Sequence, residues 1–217
     1  MKGENQTKSK NRVRDHGEVF TAQREVNAML DLVKNETERI ESRFLEPACG
    51  TGNFLIKILE RKLNVVDAVY RKVQYEWEAR AFLAVSSIYG VELLPDNVVE
   101  CRNRLYEYLK ARYTAQFKKQ SQRFLDSVRF LLEKNIICGD ALTLLTSAGE
   151  PIVFSEWSFV SGSKVQRRDF TMNSLLKRRD KQKTLFDFTP EQKLPKEVGK
   201  FPAVHYLEIK NYDTQHS

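Results

Sequence analysis

The sequence predicts an α/β protein, a parallel sheet whose strands are joined by crossover helices. Three observations predict it. Short apolar runs end at Glu46, Glu92 and Asp140. Between them lie segments whose apolar residues recur at helical spacing. Up to residue 140 the order is helix, strand, helix, strand, helix, strand, the alternation that builds parallel sheets. The 217 residues are 41% apolar and 30% charged, enough for one domain with an appendage and too charged for a membrane protein. No apolar run of about 18 residues is present, and the polar start MKGENQTKSK holds no secretory signal. Three cysteines without a CxxC pair speak against a disulfide framework or a zinc site, so a reducing, cytoplasmic compartment and no metal are expected.

Residues 1–16 read as a basic flexible arm, 17–148 as the main domain, and 149–217 as a hairpin with a basic extension. A helix starts near Gln23, with Val26, Met29, Leu30 and Val33 on one face and Thr21 placed to cap it. Arg43-Phe44-Leu45-Glu46-Pro47 reads as a buried strand entering the turn Ala48-Cys49-Gly50-Thr51-Gly52-Asn53. That turn opens a helix carrying Phe54, Leu55, Ile58, Leu59 and Leu63. A helical insertion follows from about Val65 to Leu83, then a strand over residues 87–93. Pro95 starts a helix with Val98, Cys101, Leu105, Leu109 and Tyr113 inward. Phe124, Leu125, Val128, Leu131 and Leu132 mark another helix before the strand ending at Asp140. Beyond it, Pro151 to Val160 and Lys164 to Gln166 flank Gly162 as a β-hairpin. From Arg167 to Lys200 the chain reads as charged and irregular, and Phe201 to Ile209 as an edge strand.

The turn after the first strand is where chemistry is expected. Its glycines let backbone approach a ligand, the helix start offers unpaired N–H groups, and open parallel sheets bind ligands beyond their C-terminal strand ends. Leu55 stands where a dinucleotide fingerprint needs a third glycine. Glu46, an acid before the turn, suits an ammonium better than a pyrophosphate, and S-adenosylmethionine carries an ammonium. Glu92 can accept both hydroxyls of a ribose; it lies forty residues past Gly52 rather than about twenty because of the inserted helix. Asp140 can accept from an adenine amino group while the Ala141 N–H meets a ring nitrogen.

The motifs Gly17-Glu18-Val19-Phe20-Thr21, Glu46-Pro47-Ala48-Cys49-Gly50-Thr51-Gly52-Asn53-Phe54-Leu55, Tyr89-Gly90-Val91-Glu92-Leu93 and Gly139-Asp140-Ala141 resemble the amino-type DNA methyltransferases, in particular the adenine-specific (N6) modification enzymes of restriction systems. The resemblance implies a Rossmann-like methyltransferase fold. It also implies a cofactor site at Phe20, Thr21, Glu46, Ala48, Gly50, Gly52, Asn53, Phe54, Glu92, Leu93, Asp140 and Ala141, with the leading element over the methionine part. Ala22 replaces that family's usual proline, which removes only a fixed φ. As plain side chains, Phe20 and Phe54 are equally core aromatics, and the three cysteines are small buried hydrophobes.

One part of the family pattern is absent. Adenine's exocyclic nitrogen has its lone pair delocalised into the ring; a [Asp/Asn/Ser]-Pro-Pro-aromatic loop binds its two hydrogens and stacks on the flipped base. None of the six prolines is adjacent to another, and Ser155-Glu156-Trp157 lacks both prolines, so the hairpin reading is taken there. The fold is thus expected to be incomplete, with no catalytic residue of its own. The chain is read as the cofactor-binding half of a split or truncated enzyme, the loop and target recognition residing on a second polypeptide. The alternatives are a non-catalytic S-adenosylmethionine-binding or DNA-binding subunit, or methylation of RNA or of protein glutamine.

Net charge is +7, and Ser161 to Lys183 holds eight basic and two acidic residues. Lys164, Arg167, Arg168, Lys177, Arg178 and Arg179 are therefore candidates for DNA phosphates, against the alternative of a solvated charged loop. Gln182-Lys183-Thr184-Leu185-Phe186 resembles the peptide that docks into bacterial sliding clamps; the alternative is an apolar anchor.

Overall fold

The computed structural model describes residues 21–181 and 197–212. The arm, most of the 17–21 element including Phe20, and the 182–186 peptide lie outside them. Helix α1 (Gln23–Asp31) buries Val26 and Leu30, one turn apart, while Met29 and Val33 are exposed. Its N-cap is Ala22 without a side-chain bond, so Thr21 does not cap it. A four-residue α2 (Lys34–Thr37) follows.

Three parallel strands, β1 (Phe44–Glu46), β2 (Ile88–Glu92) and β3 (Ile136–Asp140), lie side by side in chain order, and the two-residue β4 (Leu145–Thr146) pairs antiparallel with β3. The register pairs Glu46 with Gly90, and Glu92 with Cys138. Helices α3 (Asn53–Tyr70) and α4 (Gln74–Ser86) connect β1 to β2. The expected insertion is thus two helices, the first running unbroken for 18 residues from the turn. Helices α5 (Pro95–Gln116) and α6 (Gln122–Asn135) connect β2 to β3. Proline in the first turn of α5 supplies a helical φ where its missing N–H costs nothing. Ser121 caps α6 by accepting the Phe124 N–H at 3.2 Å.

Because spatial order follows chain order, both crossovers step the same way. Right-handed connections then place all four helices on one face. That face carries Phe44, Ile88, Ile136 and Cys138, packed with Leu55, Leu59, Phe82, Leu105 and Leu131 from the helices. The opposite face presents Leu45, Tyr89, Val91 and Ile137, which need another cover.

A second sheet supplies that cover. Strands β5 (Val153–Ser161) and β6 (Lys164–Thr171) form the expected hairpin about Gly162, whose φ is 52°. Helix α7 (Met172–Lys181) leaves β6, and β7 (Glu197–Lys200) and β8 (Val204–His205) pair with β6. Phe154, Ile152, Met172, Leu175 and Leu176 close over Tyr89 and Val91. Among the described residues, 168–181 and 197–200 are therefore strand and helix rather than irregular. Residues 201–209 yield only the short β8 before a 3₁₀-helix (Tyr206–Tyr212), not an edge strand. That helix buries Tyr206, Ile209 and Tyr212, spaced three apart as its period demands. No helix among the described residues is long and apolar enough to cross a membrane.

Candidate functional site

The site is built at the C-terminal ends of β1, β2 and β3. Leaving β1, the chain turns back on itself: the Cys49 N–H donates to the Val91 carbonyl at 2.9 Å and the Gly52 N–H to the Cys49 carbonyl at 2.8 Å. Gly50 (φ 52°) and Gly52 (φ 89°) both take the left-handed conformation. A Cβ on Gly52 would also lie 2.6 Å from Cys101 Sγ. Gly52 caps α3 without a side chain, so the first N–H groups of the helix lack a side-chain cap.

Glu92 sits at the centre. One carboxylate oxygen accepts the Gly50 N–H and the other the Leu94 N–H, each at 2.9 Å. The side chain is almost buried, and Asn97 Nδ2 lies 3.5 Å from it. A carboxylate has about four lone-pair directions; Oε1 accepts both the Leu94 N–H and Asn97 Nδ2, so the oxygen bonded to Gly50 keeps one for a further donor. Leu93 beside it is 57% exposed, an apolar surface at the lip of the crevice.

Glu46 faces the same side of the sheet as Glu92, since Glu46 pairs with Gly90 and side chains two apart share a face. Burial pushes its carboxyl up from the usual range, partly offset by the Ala48 N–H that it accepts. Asp140 shares that face too, two residues beyond Cys138, the partner of Glu92. Strand geometry puts it roughly 7 Å farther along and about 5 Å across. One of its oxygens accepts the Leu142 N–H at 2.8 Å and the other is left over. Ala141 is half-buried and Ala48 exposed. Phe54 is partly buried against the core, so it serves packing whichever else it does.

A residue of α5 outside the expected set braces the loop. Arg104 of α5 donates to the Thr51 carbonyl at 2.6 Å, to Thr51 Oγ1 at 2.8 Å and to Asn53 Oδ1 at 3.0 Å. Asn53 in turn donates to the Thr21 carbonyl at 3.4 Å, bringing the leading segment to the turn. Arg104 lies three residues after Cys101, which touches Gly52, and no sequence motif marks it. Cys49 and Cys101 are buried and joined by a hydrogen bond that, with burial, raises the Cys49 thiol far above its usual range; both side chains fill space under the turn. Cys138 is only half-buried, its thiol raised chiefly by burial.

The basic candidates divide. Lys164 is exposed. Arg167 is 5% exposed and held by Asp169 at 2.7 Å, with Ser155 Oγ at 3.0 Å and the Phe201 ring 4.2 Å below, so it faces inward rather than toward a phosphate. Arg168 is paired with Glu156 at 2.6 Å and Glu197 at 3.4 Å. Lys177, Arg178 and Arg179 belong to α7, but their side chains lie outside the described residues. Ser155, Glu156 and Trp157 all lie within β5, as the hairpin reading requires.

The C-terminal ends of three neighbouring strands therefore carry three carboxyls on one face, beside an uncapped helix start and the exposed Leu93. Such a donor and acceptor set fits a molecule with an ammonium, a vicinal diol and an aromatic amine. The family described as MmeI, DNA-methyltransferase domain, matches the chain over residues 16–148. No curated protein and no solved structure matches it.

Proposed function

Because the chain belongs to the MmeI DNA-methyltransferase domain family, we propose that it binds S-adenosylmethionine and forms the cofactor-holding part of an adenine-N6 DNA methyltransferase. The family makes it a DNA methyltransferase domain of the restriction-modification type. The observation that carries the finer reading is Glu92, whose carboxylate bridges Gly50 and Leu94 while one of its oxygens keeps a lone-pair direction for a further donor.

In this reading Glu46 takes the ammonium, Glu92 the two ribose hydroxyls, and Asp140 with the Ala141 N–H the adenine edge, over Leu93. Thr21, Ala48, Gly50, Gly52, Asn53 and Phe54 surround the methionine end, and Phe20 completes it by resemblance. The cofactor supplies an electrophilic methyl on sulfonium. The residues of this chain contribute proximity and orientation, with no acid–base step. The Pro-Pro-aromatic loop that engages the target amine comes from a second polypeptide. Lys164 and the basic residues of α7 hold DNA phosphate, which makes DNA affinity fall with salt. Absence of that loop from the sequence also favours a second reading, a cofactor-binding module without catalysis.

Two measurements test this. Calorimetric titration with S-adenosylmethionine should show one site, markedly weakened in Glu92→Ala. Labelled methyl transfer to unmethylated duplex DNA should require addition of the protein encoded by the adjacent reading frame. Cofactor binding without transfer under any combination leaves the module; no cofactor binding removes both.

A further inference from the structure

We propose that the outer edge of β1 is a docking slot for an extended, uncharged β-strand of a second polypeptide. This rests on the reading above that the catalytic loop is supplied by another chain, and it names the surface through which that chain attaches.

The backbone comes first. In the parallel β1–β2 ladder Phe44 donates to the Ser87 carbonyl at 3.0 Å, so Phe44 and Glu46 supply the bonds to β2. The N–H and C=O of Leu45 therefore point the other way. β1 ends its sheet, and no described strand lies along that side. Unpaired strand groups on an edge are a template for another strand.

The walls of the slot are apolar. A cavity of about 450 Å³ runs beside β1, floored by Phe44 and Leu45. Val33 stands on the helical side, and Phe154, Phe170 and Leu176 on the side of the second sheet. Three charged residues border it, and all are engaged. Arg43 pairs with Glu156 at 2.9 Å, Glu156 also pairs with Arg168, and Glu36 pairs with Arg39 at 3.7 Å. With no free charge to complement, the slot suits an uncharged occupant. A strand laid there would be covered on both faces, and strands of that kind are continuous apolar runs. Small apolar molecules would fill the cavity but leave Leu45 unpaired. The slot opens along β1, whose C-terminal end leads into the turn at Gly50. A strand in it would deliver a loop beside the crevice without occupying it.

The test uses the full chain and a fluorescent synthetic peptide, Val-Val-Ile-Val-Ile between lysine-rich ends. Leu45→Pro removes the outward N–H and no ladder bond, because proline is tolerated on an edge when its nitrogen faces outward. Leu176→Glu places a charge in the slot. We expect saturable binding, slowed hydrogen exchange at the Leu45 amide, and affinity at least about tenfold weaker in each variant, the equivalent of one lost hydrogen bond. Cofactor titration of both variants should stay unchanged, which shows that they fold. Equal peptide binding by both variants, or protection elsewhere than at Leu45, overturns the proposal. A homodimer in sedimentation that Leu45→Pro dissolves also overturns it, in favour of a second copy. No peptide binding in a chain that still binds cofactor refutes the slot and leaves the methyltransferase reading standing. Peptide binding at Leu45 in a chain that cannot bind cofactor keeps the slot and removes that reading.

Discussion

The Glu92 carboxylate accepts the Gly50 N–H at 2.9 Å, tying the end of β2 to the turn that follows β1. One acid thus does two jobs. It holds the glycine turn in shape, and the oxygen bonded to Gly50 keeps one lone-pair direction for a further donor. One ligand hydroxyl would complete its hydrogen bonding, and the second would replace the long Asn97 contact at 3.5 Å.

Replacing Glu92 should therefore act on both. Glu92→Ala is expected to weaken S-adenosylmethionine binding by about 1.5–3 kcal/mol, the range for hydrogen bonds to a charged group. It should also lower the melting temperature by several degrees, since the Gly50 and Leu94 N–H groups lose their acceptor. Calorimetry and thermal melting read the two separately. Unchanged affinity would show that the end of β2 does not touch the ligand.

Gly52→Ala should be destabilising for two reasons that can be separated. A positive φ costs on the order of 1–3 kcal/mol for a residue with a Cβ, and that Cβ would meet Cys101 Sγ at 2.6 Å. Cys101→Ala removes the second cost and not the first. A double-mutant cycle by denaturant unfolding should show Gly52→Ala less damaging, but still harmful, in the Cys101→Ala background.

Much of this was legible before any coordinates. β1, β2 and β3 are short apolar runs ending in acids, and a parallel sheet needs that pattern because it is buried on both faces. Glu46, Glu92 and Asp140 were placed by the same logic. β6 was read short because its inward positions are Val165, Arg167 and Asp169. The last two are a charged pair that neutralise one another inside, so the alternation of apolar residues disappears from the sequence. Tyr206, Ile209 and Tyr212 look like part of a strand until their spacing of three is matched to a 3₁₀-helix. Arg104 left no trace, because an arginine on a helix rich in charge looks like any solvated residue.

Glu46 should impose a pH dependence on cofactor binding. Burial raises its folded-state pKa, above an unfolded value of about 4.3. Between the two values the folded chain binds more protons, so this group's contribution to stability is complete below the unfolded value and is lost as pH rises through the folded one. Ligand binding runs the other way. An ammonium pairs only with the carboxylate, so S-adenosylmethionine affinity should rise with pH through the raised pKa, with proton release. Titrations from mildly acid to neutral pH should show this slope, and Glu46→Gln should flatten it while weakening binding at neutral pH. An identical slope in the variant would assign the proton to another group.

Lys62 is fully buried and donates to the carbonyls of Arg39, Ile40 and Ser42 at 2.9, 2.8 and 2.6 Å. It thereby closes the turn that leads into β1. Lys62→Met keeps most of the volume and leaves the Ser42 carbonyl without a donor, while the Arg39 carbonyl keeps the Ser42 N–H at 3.2 Å and the Ile40 carbonyl keeps Ser87 Oγ at 3.1 Å. We expect a loss of about 1–3 kcal/mol, the cost of a buried acceptor left without its donor, seen as a lower denaturation midpoint with an unchanged slope.

Arg167 and Lys164 lie three residues apart on β6 and should behave as opposites. Arg167 is buried against Asp169 and Phe201, whereas Lys164 is exposed beside the hairpin turn. Arg167→Met strands a buried carboxylate and should cost about 3–5 kcal/mol of stability; the double variant Arg167→Met with Asp169→Leu should recover most of it. Lys164→Ala should leave stability within about 0.5 kcal/mol. If DNA passes over this hairpin, that same change should lower DNA affinity uniformly across sequences and reduce the salt slope by about one unit. Filter binding at several salt concentrations, beside thermal melts, separates the two roles. A Lys164→Ala chain with an unaltered salt slope would direct the phosphate path away from the hairpin turn.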